Sequence, residues 1–225
     1  MTKPLFGRAR RRATRCLVTL ALILAAGPLT LHAQGVANGV LLVASPELTD
    51  ANFAHSVVLV LRHDDNGTLG VVINRPTNVT PTSVFPELAD SLGDYSGRLF
   101  RGGPVGPTRL LFVVQGLAAA AVEGPEVLDK VFLSIDTESL PDMTRLAKGI
   151  EDLRLYAGHA EWAPGQLDAE IRAGGWQLVP GTPELVFDDA PGELWSELEG
   201  LAGNAGGVIA ASPVSERAPL AANRR

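Results

Sequence analysis

GVLLVASPELTDANFAHSVVLVLRHDDNGTLGVVINRP, residues 39–76, contains three short apolar runs separated by polar connectors. The second and third runs, at 56–62 and 69–74, are joined by the four turn-forming residues 64–67. The Asn-Gly pair in that connector tolerates the positive φ of a tight turn, so the pattern predicts a β-hairpin. Within both runs the apolar residues are consecutive rather than alternating, which indicates strands covered on both faces. We therefore predict that 39–76 forms the centre of a sheet, with four residues buried: Val58, Val60, Val71 and Ile73.

The length and charge of the chain limit the classes of function. At 225 residues it is long enough for one domain with a sizeable core, and no repeat or linker indicates a second. The net charge is −6, and residues 1–33 hold six basic residues and no acidic one. The remainder therefore has 13 basic against 25 acidic residues, a net charge of −12. An acidic body argues against direct nucleic-acid binding, because phosphate recognition needs clustered Lys and Arg.

Residues 1–33 have the pattern of a secretory signal peptide. A basic start precedes an apolar run at 16–26, and cleavage is expected after Ala33. The run is shorter than the roughly 20 residues of a membrane span, so no stable span is predicted. An uncleaved anchor and an upstream start codon that adds a non-native leader remain as alternatives. We predict export to the periplasm or the extracellular space, or a cytoplasmic protein if the start is wrongly assigned.

The body, residues 34–211, is predicted as a single domain, followed by a flexible C-terminal tail at 212–225. Strand patterns occur at 98–100, 110–115, 131–135, 153–157, 176–179 and 208–211. Helix patterns occur at 82–92, 139–149, 164–173 and 191–201. The segment 158–166 is predicted as a loop that leads into the third helix. The only cysteine, Cys16, lies in the leader, so the body has no thiol or disulfide chemistry.

A set of motifs in fixed order resembles the YqgE/AlgH family of bacterial proteins (UPF0301). The matching segments are 39–46, 52–53, 56–58, 70–76, 102–105, 156–158 and 162–167, which together cover roughly 38–205. The resemblance implies an α+β fold: a single domain with a mixed, largely antiparallel and curved sheet flanked by helices. It implies no established biochemical activity, although one member is named for a proposed role in regulating alginate synthesis.

Two features depart from the family pattern. Relatives typically have an aromatic residue and a glycine where this chain has His159 and Glu161. Members are also usually cytoplasmic and have no leader. The first departure bears on any ligand chemistry of this segment, and the second bears on the partners the protein meets.

Two segments at predicted strand exits carry candidate ligand-binding residues. Asn74 and Arg75 follow the third apolar run, where loops of sheet proteins often carry function. Arg75 could bind an anionic group, and the backbone of Gly102 and Gly103 could offer N–H donors beside it. The alternative is structural: Arg75 pairs with an acid and the glycines only turn the chain.

The second candidate group is His159, Glu161 and Gln166. His159 and Glu161 are two residues apart, so in an extended segment their side chains point the same way. This geometry permits a His–carboxylate pair or two ligands of a metal ion. The sequence offers no third ligand, so no metal site and no cofactor are predicted, and a polar surface pair is the simpler interpretation.

These observations favour a non-enzymatic binding or regulatory module. Its partner is expected to be a small anionic ligand or a protein, bound between the exits at 74–76 and 102–105 and the segment 158–166. The alternative is a hydrolase or metal-assisted enzyme that uses His159 and Glu161, with Arg75 as an anion clamp. No Gly-x-Ser-x-Gly elbow and no nucleotide-binding glycine loop is present in the sequence.

Overall fold

The computed structural model describes residues 35–205, in which one curled, mixed sheet is flanked by helices. Along the sheet the strands follow the order β6-β7-β5-β8-β3-β2-β1-β9, and β4 pairs with β8 outside this path. The strands are β1 Val40–Ala44, β2 Val57–Asp64, β3 Gly67–Val72, β4 Leu99–Arg101, β5 Val105–Val114, β6 Glu126–Leu128, β7 Val131–Ser134, β8 Leu153–Trp162 and β9 Trp176–Pro180. Only β4 and β8 run parallel among the pairs of the described strands. The predicted fold class, α+β with a mixed and largely antiparallel sheet, is confirmed.

The hairpin predicted at 39–76 is present and lies near the middle of the sheet. Strands β2 and β3 pair antiparallel, and Asp64 pairs with Gly67 across the two-residue turn. Val58 and Val60 belong to one buried cluster, whereas Val71 and Ile73 belong to another on the opposite face. All four are fully buried, as predicted. Continuous apolar sequence thus reflects two cores, one on each side of the same strands.

Six helices of the described residues surround this sheet. They are α1 Pro81–Val84, α2 Ala89–Leu92, α3 Leu140–Leu146, α4 Gln166–Arg172, α5 Pro183–Val186 and α6 Leu194–Ala205. Helix α4 packs through Leu167 on the face that contains Val58, and α5 and α6 contribute Val186 and Leu198 to the opposite core. Within residues 35–205, no helix combines the length and the apolar character needed to cross a membrane.

Several predicted boundaries are wrong in informative ways. The helix predicted at 82–92 is broken into α1, a 3-10 turn at Pro86–Leu88 and α2, because Pro86 cannot continue a helix. The predicted helix start at Pro164 is also wrong, since α4 begins at Gln166. Strand β6 lies in the Ala- and Gly-rich segment 116–129, for which the sequence predicted no particular element. The predicted leader, the strand at 208–211 and the tail at 212–225 lie outside the described residues.

Candidate functional site

The segment 158–166, predicted as a loop, is in its first half a continuation of strand β8. Strand β8 runs to Trp162, and Leu69 of β3 pairs with Glu161. Gly158 suggested a strand end, but its φ of 74° instead accommodates close contact with β5. A side chain at this position would place its Cβ 2.7 Å from the Gly103 carbonyl oxygen and 2.9 Å from that of Val105. Glycine therefore lets β8 pass beneath the neighbouring segment instead of ending.

Gly102 and Gly103 serve the same close approach from the other side. The Gly102 N–H donates to the Ala157 carbonyl (2.8 Å), and its carbonyl accepts from the Val72 N–H (2.7 Å). A Cβ on Gly103 would lie 2.2 Å from the carbonyl carbon and oxygen of His159. The Gly102 N–H, predicted as a possible donor to an anion, is thus already engaged in the sheet.

Asn74 and Arg75 anchor the connector between β1 and β2. The Asn74 side chain accepts from the Val57 N–H (2.8 Å) and donates to the His55 carbonyl (3.0 Å). The Arg75 guanidinium donates to the carbonyls of Asn52 (2.6 Å) and Ala54 (3.0 Å). Its charge is met by peptide dipoles, and no carboxylate of the described residues lies within ion-pair distance of it.

The electrostatic surroundings of Arg75 agree with this half-buried position. Burial lowers its pKa, the nearby charge of Arg101 lowers it further, and Asp50 acts in the opposite direction. The guanidinium nevertheless remains charged at any physiological pH, since arginine starts from a very high pKa. Arg75 is therefore placed as an anchor for the connector, with a second arginine beside it.

Gln166 belongs to a separate hydrogen-bonded cluster. Its side chain accepts from the Ala163 N–H (3.1 Å) and donates to Glu170 (3.0 Å). The same Glu170 carboxylate accepts the indole N–H groups of Trp162 (3.0 Å) and Trp176 (2.8 Å). Sequence analysis missed Glu170, although its spacing of four residues from Gln166 on one helix was visible.

His159 and Glu161 line a groove of about 560 Å³ on the face of the sheet opposite Trp162. The apolar residues that line the groove are Leu69, Leu110, Leu111 and Ile135. Its polar lining residues are Arg62, Arg109, Thr137, His159 and Glu161. Asn74, Arg75, Gly102, Gly103 and Gln166 do not line it. The predicted residues therefore separate into four groups, and of these only His159 and Glu161 line the groove.

Two register irregularities in the sheet flank the groove. The pairing of β2 with β3 shifts between Val60 and Arg62, and the pairing of β5 with β8 shifts between Val105 and Leu110. Bulges of this kind re-aim side chains and are frequent beside functional sites. Each irregularity contains or borders an arginine of the groove, Arg62 in the first and Arg109 in the second. Neither arginine was singled out from the sequence.

Arg62 and Glu161 lie in one cross-strand row. Arg62 pairs with Leu69, and Leu69 pairs with Glu161, so the three side chains share a face of the sheet. Neighbouring strands are spaced by about 4.8 Å, so the backbones of the two charged residues lie about 10 Å apart across the sheet. Arg62 forms an exposed ion pair with Asp64 (3.3 Å). Arg109 is exposed and has no ion pair with any residue in 35–200.

The structure corrects the prediction that His159 is exposed. His159 is only 8% exposed, because it pairs with Val105 and is covered by the irregular segment of β5. Glu161, in contrast, has 60% of its side chain exposed. The His159 Nε2 atom lies 3.8 Å from the Glu161 Oε2 atom, which is longer than a hydrogen bond. The two side chains are thus neighbours that are not hydrogen-bonded.

Arg154 is a buried charge that the sequence did not reveal. Its guanidinium donates to the carbonyls of Val186 (2.9 Å) and Asp188 (2.5 Å) and lies 5.0 Å from the ring centroid of Phe100. It thereby ties the segment after α5 to β8. On the same strand, burial raises the pKa of Tyr156 despite the nearby positive charge. Arg154 is a structural anchor and lies outside the groove.

A second cavity, of about 580 Å³, lies between α2 and α3. Its lining includes Asp94, Tyr95 and Lys148, and none of the candidate residues from the sequence. Opposite charges alternate in its walls, and Arg145 there is already paired with Asp142 (2.8 Å). The groove at His159 is therefore the better candidate site. In the described part of the chain, no group of three or more His, Cys, Asp or Glu residues could hold a metal ion.

Comparisons with known proteins agree with the motifs. The model of the AlgH-like family (DUF179) matches residues 41–205. A UPF0301 protein of Streptomyces avermitilis is 40% identical over 165 residues, which cover 72% of this chain and 84% of the relative. A UPF0301 protein of Mycobacterium bovis is 34% identical over 169 residues, covering 74% and 82% of the two chains. The names of these relatives assign no activity.

Solved structures show the same fold. A crystal structure of a protein from Corynebacterium diphtheriae has a TM-score of 0.61 and 31% identity, covering 73% of this chain and 86% of that one. The solution structure of the AlgH protein from Pseudomonas aeruginosa, a UPF0301 member, has a TM-score of 0.58 and 27% identity, covering 77% and 92%. Since the family model spans most of the chain and relatives at 34–40% identity cover nearly three quarters of it, this protein belongs to the YqgE/AlgH family, UPF0301.

Proposed function

We propose that the protein is a non-enzymatic binding module and that the groove lined by His159 and Glu161 is its binding surface. The observation that carries this proposal is the composition of the groove, a concavity of about 560 Å³ that is lined by both apolar side chains and a few polar ones. Ligand sites typically have this size and this division of roles: the apolar wall supplies affinity, and the polar groups orient the ligand. Regulation would follow if the occupied form were the one recognised by a protein partner.

The arrangement of His159 supports binding more than catalysis. A general base needs a hydrogen-bonding partner that orients it and a nucleophile within reach. The Glu161 carboxylate oxygen is 3.8 Å away, and the hydroxyl among the residues that line the groove is that of Thr137. The groove thus offers positions for recognising a ligand rather than a preassembled catalytic pair.

An enzyme is the second candidate, because His159 and Glu161 do share the groove. In that mechanism His159 and Glu161 would activate water or hold a metal ion. Arg75, the anion clamp of the sequence hypothesis, contributes nothing to the groove, since its guanidinium is bonded to Asn52 and Ala54. Loss of a measured turnover in His159→Ala, with the fold intact, would favour the enzyme over the module.

Native mass spectrometry of the protein purified from its own host tests the binding proposal. The matched variants are Ile135→Glu in the groove and Leu117→Glu outside it, since the two side chains are similarly exposed, at 73% and 67%. We expect the wild type and Leu117→Glu to retain a bound mass that Ile135→Glu loses. A wild type without any bound mass, or a bound mass that survives Ile135→Glu, contradicts the proposal.

A further inference from the structure

The charges of the groove differ from those of the protein as a whole. Residues 34–225 carry a net charge of −12, yet the groove contains Arg62 and Arg109 against the single carboxylate of Glu161. Arg62 is engaged with Asp64 at 3.3 Å, whereas Arg109 has no ion pair within the described side chains. Within an acidic protein, Arg109 is therefore the cation of the groove that can meet an anion, and a cationic group in a concavity attracts anions.

The position of Arg109 in the sheet makes this charge part of the groove. Arg109 ends the irregular segment between Val105, which pairs with His159, and Leu110, which pairs with Ala157. In a regular antiparallel pair, one residue of β5 would lie opposite Gly158 of β8. Here the four residues 106–109 lie opposite it, so the strand bulges at this point. Arg109 therefore lines the groove together with His159.

Apolar side chains also line the groove. Ile135 is 73% exposed, which is the highest value among the large hydrophobic side chains of the described residues. It follows the last residue of β7 and lines the groove together with Leu110 and Leu111 of β5. Since β7 and β5 are neighbouring strands, the apolar surface lies directly beside Arg109. A ligand that covered this isoleucine would remove apolar surface from water, which favours binding.

Taking the binding proposal as its basis, we infer that the ligand is an amphipathic anion, a carboxylate or phosphate group attached to an apolar chain. The anionic group binds the Arg109 guanidinium, and the chain covers Ile135 and the partly exposed Leu110. Glu161 lies next to this position and opposes the ligand's charge. The inference thus predicts opposite effects for the two charged residues on the same ligand.

The test is a titration of the isotopically labelled full chain with octyl phosphate, below its micelle concentration, followed by nuclear magnetic resonance. Octyl glucoside supplies the same chain without a charge, and inorganic phosphate supplies the charge without a chain. We expect octyl phosphate to shift the resonances of Ile135 and His159 and to bind more tightly than either control. Arg109→Gln should weaken its binding by roughly tenfold, as expected for one charge-assisted contact.

Two further variants make the test specific. Arg98→Gln removes an exposed arginine outside the groove and should leave the binding of octyl phosphate unchanged. Glu161→Gln should strengthen it, because the carboxylate that opposes the ligand's charge is removed. If octyl glucoside binds the groove as tightly as octyl phosphate, and Arg109→Gln has no effect, the anionic class is wrong while the binding module stands. If octyl phosphate shifts no groove resonance, the inference also fails. The proposed binding function is then decided separately, by whether native mass spectrometry finds a retained mass.

Discussion

Replacing Gly103 by alanine tests whether this glycine serves packing or ligand binding. A Cβ at this position would lie 2.2 Å from the carbonyl carbon and oxygen of His159 and 2.6 Å from the Ala160 nitrogen. Ordinary contacts of such atoms begin near 3.4 Å, so the two segments would have to separate by about 1 Å. The obstacle is backbone of β8, which is paired with β3 and β5 on its two sides and has no flexible end that could yield.

The cost of this separation can be estimated from overpacked cores, where inserting a methyl group typically costs about 1–3 kcal/mol. We expect Gly103→Ala to reach the upper end, about 3 kcal/mol, because backbone rather than a side chain must move. The matched control is Gly192→Ala, where no atom lies within 4 Å of the added Cβ and the change should stay within about 0.5 kcal/mol. The assay is urea unfolding of both variants beside the wild type. If the two variants differ by less than about 1 kcal/mol, the packing role is refuted, and Gly103 regains its interpretation as a donor to a ligand.

Four further predictions concern burial, pH and processing. Tyr95 and Tyr156 are the only tyrosines, and burial raises the pKa of both. The stability that the two neutral phenols contribute is complete below the usual tyrosine pKa of about 10 and is lost as the pH rises through their pKa values in the folded protein. Tyrosinate absorbance should therefore appear only together with unfolding. Val71→Asp should cost several kcal/mol, since the carboxylate enters the core without a partner, and a melting temperature within a couple of degrees of wild type would contradict two-sided burial. Glu170→Ala leaves two indole N–H groups without an acceptor and should cost roughly 2–4 kcal/mol in urea unfolding, whereas an unchanged midpoint would show that these bonds contribute nothing. We also propose that the mature protein begins near Gln34, and N-terminal sequencing that finds Met1 on cytoplasmic protein would refute export.

The hairpin was predictable because its evidence is local. The Asn-Gly turn and the apolar runs lie within one continuous stretch, and the period of the side chains indicates how many faces are covered. The two buried clusters on either side of β2 and β3 are the direct result of that pattern. Turn chemistry and periodicity act within a few residues, so they can be recognised in a single sequence.

The groove was not predictable in the same way, since its residues come from five strands or strand ends that are far apart in the chain. Arg62, Arg109 and Ile135 become neighbours of His159 only through strand order and two irregular registers. An irregular register has no fixed sequence motif, because it depends on how two distant segments fit together. Gly158 illustrates the difficulty: a glycine that lets a strand pass beneath another looks, in the sequence, like the end of that strand.

The alternation of side chains along β8 explains how the groove can change while the fold persists. Ala160 and Trp162 are buried in the core beneath α4, whereas His159 and Glu161 face the groove on the other side. Neighbouring residues of a strand point to opposite faces, so a substitution at 159 or 161 alters the groove without entering that core. These two positions are also where the sequence motifs predict a departure from the family pattern. We therefore propose that ligand preference follows the residues at 159 and 161 rather than the sheet that carries them.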